Sequence, residues 1–191
     1  VGAILTQSAA WRNVEKAIAN LRDSNLLSPE ALRRLEQEEV AALIRSCGYY
    51  NAKALKLVAL AKWLGESWGD DLEGLFTLDI AELREKLLSV YGIGEETADS
   101  IILYAAKKPV FVIDAYTRRI IDRIGLTPRG RDYLAYQSLF MDNLPASIQL
   151  FQEYHALLVR LAKEVCRRRP RCDDCCLRSV CTYGKEYDER G

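Results

Sequence analysis

With 191 residues, 49% of them hydrophobic, the chain can bury a substantial core in one domain or two small ones. It has no run of about 18 uncharged apolar residues and no charged-then-apolar opening, so no membrane partner, spanning segment or secretory signal is read from it and an intracellular protein is expected. Lys+Arg and Asp+Glu balance at 27 each, which leaves any electrostatic argument for a partner to local charge distribution.

In chain order, the opening residues 1–5 read as the middle of an apolar helix. The first residue is Val1 and not Met, so N-terminal residues are expected to be missing. Residues 11–22 carry Val14, Ala17, Ile18 and Leu21 on one face of an amphipathic helix. Ser28 at the N-cap with Pro29 at the first helical position starts another. Residues 41–46 continue helical until Gly48, and Asn51 is expected to cap the next helix, with Leu57, Val58, Leu60, Ala61 and Leu64 inward. Gly65, Gly69 and Gly74 predict a looser connection, after which Asp79 caps a further helix.

That helix leads into Val90-Tyr91-Gly92-Ile93-Gly94-Glu95-Glu96-Thr97. Leu83, Leu87 and Leu88 before it and Ala98, Ile101, Ile102 and Ala105 after it recur at helical spacing, so the stretch reads as a helix-hairpin-helix over about 81–106. Two glycines one residue apart permit positive φ and close approach of another backbone. The second helix opens with unpaired amides, where the macrodipole favours an anion such as a nucleic-acid phosphate. An αα-hairpin turn with glycines for geometry alone fits the same residues.

Lys108 to Asp114 is a short apolar run with no second strand to pair with, and reads as a buried extended linker. Asp114 opens a helix with Tyr116, Ile120, Ile121 and Ile124 inward. Helices at about 131–143 and 147–165 follow, the second with Phe151, Tyr154, Leu158, Leu161, Ala162 and Val165 at core spacing. No β-period pattern survives, so the fold class is all-α.

Six cysteines are unevenly spread: Cys47 is alone and five fall within residues 166–181. Cys166, Cys172, Cys175 and Cys181 give C-x5-C-x2-C-x5-C, and four thiolates in one compact loop can hold zinc or a cubane 4Fe-4S cluster. A single close pair flanked by two wider intervals favours the cubane over zinc, which usually pairs two C-x2-C knuckles. Cys176 is ambiguous as a ligand, and it and Cys47 read as buried or spare thiols. Arg160, Lys163, Arg167, Arg168, Arg169, Arg171 and Arg178 crowd this region against Glu164, Asp173 and Asp174, a basic surface or a solvated charge run.

The Gly92-x-Gly94 hairpin, an aspartate after an apolar linker and a terminal four-cysteine loop together resemble the endonuclease III branch of the helix-hairpin-helix DNA glycosylases. Leu5-Thr6-Gln7, Gly48-Tyr49-Tyr50-Asn51-Ala52-Lys53-Ala54, Val110-Phe111-Val112-Ile113-Asp114 and Arg169-Pro170-Arg171-Cys172 extend the resemblance over nearly the whole chain. The family's first cysteine interval is commonly one residue longer than the one found here. The resemblance implies two helical domains: a six-helix barrel over 1–108, and residues 109–191 with a 4Fe-4S cluster on the four cysteines of 166–181. Double-stranded DNA with a damaged base would bind across the cleft between them. The protein would act as a monomer in the cytoplasm, at the nucleoid in a prokaryote.

Residue by residue, Asp114 matches the catalytic aspartate, a carboxylate that stabilises positive charge developing on the sugar, while as a bare sequence feature it caps the helix after it. Where bifunctional members carry a Schiff-base lysine, this chain has Glu96, which cannot form an imine. The resemblance therefore implies a monofunctional glycosylase, nearest to the N-methylpurine (3-methyladenine) subgroup through residues 4–11, 92–99 and 114–117. Trp11 would stack on the flipped alkylated purine, its alternative being a core aromatic. Gln7 and Tyr49 would fill the vacated stack, and Gly92, Gly94, Thr97, Arg167, Arg168, Arg169 and Arg171 would meet phosphates. The rivals are a bifunctional glycosylase/AP lyase for oxidised pyrimidines or mismatched bases, and a non-catalytic DNA-binding iron–sulfur protein. Trp63, Trp68 and the lone His155 read as packing residues.

Overall fold

Six helix starts are fixed by the residue before them. Ser28, Asp71, Asp79, Asp114, Asp132 and Ser147 each accept a hydrogen bond from a backbone amide inside the first turn, a contact worth about 1 kcal/mol apiece. The computed structural model describes residues 1–188, and among them every regular element is helical, as the absence of a β-period led one to expect. The chain divides into two compact units, Val1–Ile101 and Ile102–Gly191.

In the first unit, α1 (Gly2–Leu5), α2 (Trp11–Asp23), α3 (Pro29–Arg33), α4 (Gln37–Leu43), α6 (Leu72–Thr77) and α7 (Ile80–Leu88) accompany a longer α5 (Tyr50–Trp68), and α8 (Glu95–Tyr104) begins there. α5 packs against α1, α3, α4 and α6, and its Ala54, Leu57, Val58 and Ala61 join Ile4, Leu5, Val14, Leu21 and Ile44 in one core. Lys53, among the largest fully buried side chains, is also on α5. Its ammonium donates to the Leu5 carbonyl at 2.9 Å and the Cys47 carbonyl at 2.8 Å, tying the end of α1 to the turn before α5, while burial pushes its pKa down.

Two expectations about this unit are corrected. α5 starts at Tyr50 behind Tyr49, which is left-handed (φ 46°), so Asn51 lies within the first turn and does not cap it. Gly65 lies inside α5, not in a connection. A Cβ there would come within 2.6 Å of the Arg33 guanidinium, which bonds the Ala61 carbonyl (2.9 Å) and clasps both oxygens of Asp70, so the glycine serves close approach. Gly74 is likewise helical, within α6, and the chain turns at Gly69, the left-handed residue after α5.

In the second unit the end of α8 is followed by the linker, α9 (Ala115–Ile124), α10 (Tyr133–Met141), α11 (Ile148–Glu164), a cysteine loop with a short turn at Cys172–Asp174, and α12 (Thr182–Asp188). The linker is extended, and Val110, Phe111, Val112 and Ile113 are all buried. Buried extended backbone needs partners for its polar groups, and α10 supplies them from side chains one helical turn apart. Met141 sulfur meets the Phe111 amide at 3.3 Å, Gln137 donates to the Phe111 carbonyl at 2.7 Å, and the Tyr133 hydroxyl accepts from the Ile113 amide at 3.1 Å. The Phe111 ring stacks on Phe140 (centroids 3.8 Å apart) and meets Phe151 edge-on. Of the inward positions expected on α9 and α11, Ile120, Ile121, Phe151, Leu158 and Ala162 are buried. Tyr116, Ile124, Leu161 and Val165 are half-buried, and Tyr154 is exposed although its ring edge still reaches Phe111 and Phe140.

Replacing Gln137 by Met keeps its bulk and strands the Phe111 carbonyl. Urea unfolding should show a loss of about 1–3 kcal/mol, whereas Gln152→Met, which releases a carbonyl nearer the surface, should cost less.

Candidate active site

Asp114 closes the linker and caps α9. Its Oδ1 accepts from the Thr117 amide at 2.7 Å, and its side chain is 13% exposed. Oδ2 faces the imidazole of His155, carried by α11, at 3.7 Å from Nε2, which is ion-pair reach but longer than a hydrogen bond. The other ring nitrogen, Nδ1, is 2.9 Å from the hydroxyl of Tyr104 at the end of α8. Burial alone pushes the Asp114 carboxyl up, but His155 and the Thr117 amide and hydroxyl outweigh it and hold the group below the usual carboxylate range. The start of α9 adds a favourable macrodipole. The result is an ionised, oriented, nearly enclosed carboxylate, the group needed to face a developing cation. His155, read as a packing residue from sequence, is thus a neighbour of this carboxylate, and the signal that could have singled it out is that the chain contains one histidine.

In the first unit the hairpin joins α7 to α8. Only Gly92 takes a positive φ (80°); Gly94 does not, and a Cβ on it would meet nothing within 4 Å, whereas one on Gly92 would strike the Lys56 side chain. Gln7 donates to the Thr97 hydroxyl at 2.8 Å and, more weakly, to the Gly92 carbonyl at 3.4 Å, and Lys56 Nζ donates to Gln7 Oε1 at 2.6 Å. Gln7, Gly92 and Thr97 are therefore brought together, and the Gln7 amide is engaged within its own unit. Arg84 of α7 pairs with Asp99 of α8 at 2.9 Å and reaches Glu95 at 3.3 Å; Asp99 is fully buried, so the ion pair locks one hairpin helix to the other. Glu96 sits exposed in the first turn of α8. Trp11 is the first residue of α2 and 54% exposed, which removes the core alternative, and left-handed Tyr49 is 75% exposed.

Residues 1–146 match the family described as HhH-GPD superfamily base excision DNA repair protein. The chain belongs to the HhH-GPD superfamily. It is 41% identical to a protein of Methanocaldococcus jannaschii named "Putative DNA repair glycosylase MJ1434", covering 95% of this chain and 83% of that one. It is 26% identical to endonuclease III of Sulfolobus acidocaldarius, over 96% and 80% of the two chains. Among solved structures it is similar to the H. pylori 3-methyladenine DNA glycosylase MagIII bound to 1,N6-ethenoadenine (TM-score 0.72, 26% identity, 85% and 82% coverage). It shares its fold with endonuclease III in a non-covalent DNA complex (TM-score 0.83, 21% identity, 98% and 83% coverage).

In this HhH-GPD chain Cys166, Cys172, Cys175 and Cys181 line one pocket beside Arg123 and Arg178, whereas Cys176 is exposed and does not line it, and Cys47 is buried in the first unit. Burial, then the charges of Cys175, Cys181 and Cys166, push the Cys172 thiol up, so four thiolates together need a positive group among them. Among the described residues no group of three or more His, Cys, Asp or Glu side chains is drawn together tightly enough to hold a metal ion as it stands. Four cysteines lining one pocket are a donor set that suits zinc or a 4Fe-4S cluster. Two α9 arginines one turn apart hold the loop. Arg119 donates to the Ala162 and Cys166 carbonyls, and Arg123 to Cys166 Sγ (3.2 Å) and the Arg167 and Arg168 carbonyls. Nothing in the sequence pattern had singled these two out. Arg167, Arg168 and Arg169 are exposed; Arg171, also exposed, is drawn into the loop through the Glu164 carbonyl (2.7 Å) and Asp174 (3.6 Å).

The cap and the charge of Asp114 can be separated. Asp114→Ala should lower stability by about 1 kcal/mol through the lost cap, and Asp114→Asn, whose amide oxygen still accepts from Thr117, by only a few tenths in thermal unfolding.

Proposed function

We propose that the protein is a monofunctional DNA glycosylase that hydrolyses the N-glycosidic bond of alkylated purines such as 3-methyladenine in double-stranded DNA, as a monomer, leaving the abasic strand unbroken. Glu96 carries this reading: it occupies the first turn of the second hairpin helix, where an amine would be needed to form an imine with the sugar. With no amine there, solvent is the nucleophile. The C1′–N bond lengthens, positive charge grows on the sugar, and the ionised Asp114 stabilises it while orienting the attacking water. The water oxygen bonds to C1′, its proton passes to Asp114 and on to solvent, and the base leaves with the bonding electron pair. An alkylated purine carries a positive charge before cleavage and leaves neutral, so the step needs little acid assistance.

Exposed Trp11 supports the substrate class. An indole stacked on a cationic base gains about 0.5–2 kcal/mol that an undamaged base lacks. The likeness to MagIII, a 3-methyladenine DNA glycosylase, points the same way. Tyr49, held left-handed and outward, suits a side chain that fills a vacated stack. Gln7 enters that stack only by giving up its bonds to Thr97 and Lys56, and otherwise braces the hairpin. Gly92, open-sided Gly94 and the first amides of α8 would receive a phosphate, as would Arg167, Arg168 and Arg169. Cys166, Cys172, Cys175 and Cys181 are the residues that would hold a 4Fe-4S cluster, which would supply a fold constraint to the loop and no electron to a hydrolysis.

One observation favours the bifunctional alternative. Lys56 lays its side chain across Gly92, bringing an amine to the hairpin from α5. Release assays over 3-methyladenine, 7-methylguanine, thymine glycol and uracil substrates with borohydride present separate the two readings. The expected outcome is free alkylated purine, an uncut strand and no covalent adduct; nicking, or an adduct lost in Lys56→Ala, overturns monofunctional action. Asp114→Asn should lower base release by at least about a hundredfold with DNA affinity within about twofold; an unchanged rate overturns Asp114 as the catalytic carboxylate, and a wild-type protein that binds DNA and releases no base favours a non-catalytic DNA-binding protein.

Purified anaerobically, the protein should be brown and contain about four iron atoms per chain. A colourless preparation with one zinc would refute the cluster, and Cys176→Ser should leave the metal content unchanged where Cys172→Ser abolishes it.

A further inference from the structure

The Tyr104–His155–Asp114 line is not needed for capping α9, and its central atom is orphaned. Among the described residues His155 Nε2 is buried without a hydrogen-bond partner, and the charged group it faces is Asp114 Oδ2, at 3.7 Å. A polar atom left in that condition costs free energy unless it is used.

The tautomer follows from the neighbours. If Nδ1 carried the ring's one proton, the lone pair of Nε2 would face a carboxylate, which is repulsive. If the Tyr104 hydroxyl donates to Nδ1, Nε2 carries the proton and aims it at Oδ2. A doubly protonated ring also aims Nε2–H at Oδ2. Burial, then the charge of Asp114, pushes the Tyr104 hydroxyl pKa up, so it stays a neutral donor. From α8 and α11 the titratable groups facing Asp114 are Tyr104 and His155, and α9 contributes Thr117, which does not titrate.

We propose that His155 is a positioning residue for Asp114: the Tyr104 hydroxyl fixes its tautomer so that Nε2–H holds Oδ2 in the orientation the sugar cation requires. The inference rests on the reading of Asp114 as the catalytic carboxylate. Oδ1 is already spent on the Thr117 amide, so Oδ2 is the oxygen left to work, and His155 is the group that decides where it points. The contact is long in the free protein, as hydrogen bonds around a reacting group often are before substrate tightens them. His155 gives up no proton in the cycle, so the balance of the hydrolysis is unchanged.

The chain's single histidine makes the test direct, because every imidazole nitrogen signal of the labelled protein belongs to His155. Nitrogen-15 spectra of the full chain should show Nε2 protonated, and Tyr104→Phe should change that pattern. An Nδ1–H tautomer would overturn the proposal. In single-turnover release of 3-methyladenine, His155→Phe should lower the chemical rate by about tenfold to a hundredfold with DNA affinity within about twofold. His155→Gln, which restores an N–H, should recover most of it. In an Asp114→Asn background, followed on labile 7-methylguanine, His155→Phe should cost nothing further. A His155→Phe rate within twofold of wild type, or an equal loss in both backgrounds, overturns the inference while the glycosylase reading stands. If wild-type protein releases no base from any substrate, that reading fails, and this one with it.

Discussion

The second unit depends on a stretch of chain that has the form of a strand and no sheet to belong to. Phe111 and Ile113 are buried, and their backbone groups bond to side chains of α10 at positions 133, 137 and 141, spaced so that one face of a helix runs along an extended segment. A second strand would do the same with its own backbone. Using a helix keeps the segment single, so it can deliver its last residue straight to the start of α9. Asp114 is placed by that delivery, and the Phe111–Phe140 stack holds the register, since a slip of one residue would turn Phe111 out of the core.

Much of this was legible in the sequence, for local reasons. A cap acts on an amide three residues away, and four cysteines in a short loop have few ways to avoid one another, so Asp79, Asp114 and the pocket of Cys166, Cys172, Cys175 and Cys181 could be read without knowing the fold. What could not be read depends on long-range packing. Tyr104 and His155 are 51 positions apart, and Lys53 bonds a carbonyl 48 positions before it. Gly65 misled because a glycine that admits a guanidinium is indistinguishable in sequence from one that ends a helix. Trp11 and Tyr154 illustrate the converse, since periodicity puts an aromatic on a face without saying whether that face is covered.

The structure shows Asp114 as a cap, and that role is compatible with the proposed catalytic one. A capping carboxylate uses one oxygen and is fixed in space by doing so, which leaves the other oxygen oriented at no further entropic cost. The hairpin in the first unit is built on a similar economy: Gly92 must be glycine both for its φ and because Lys56 lies where a Cβ would go, while Gly94 leaves open space. Glycines that look equivalent in the motif therefore answer to different constraints.

α9 is fastened at both ends. Its first turn is capped by Asp114, its middle and last turn carry Arg119 and Arg123, whose guanidinium groups bind backbone carbonyls of the cysteine loop, and Thr182 donates to the Ile124 carbonyl at 2.9 Å. On the proposed reading, a metal cluster held by that loop would act on the reaction through geometry. Ordering the loop orders the carbonyls that Arg119 and Arg123 need, those contacts fix the axis of α9, and the axis fixes the carboxylate at its other end. The basic side chains at 167–169 are presented by the same loop, so DNA contact and catalytic aim would share one support. On that reading, a glycosylase whose reaction has no redox step would have a physical reason to keep four cysteines together.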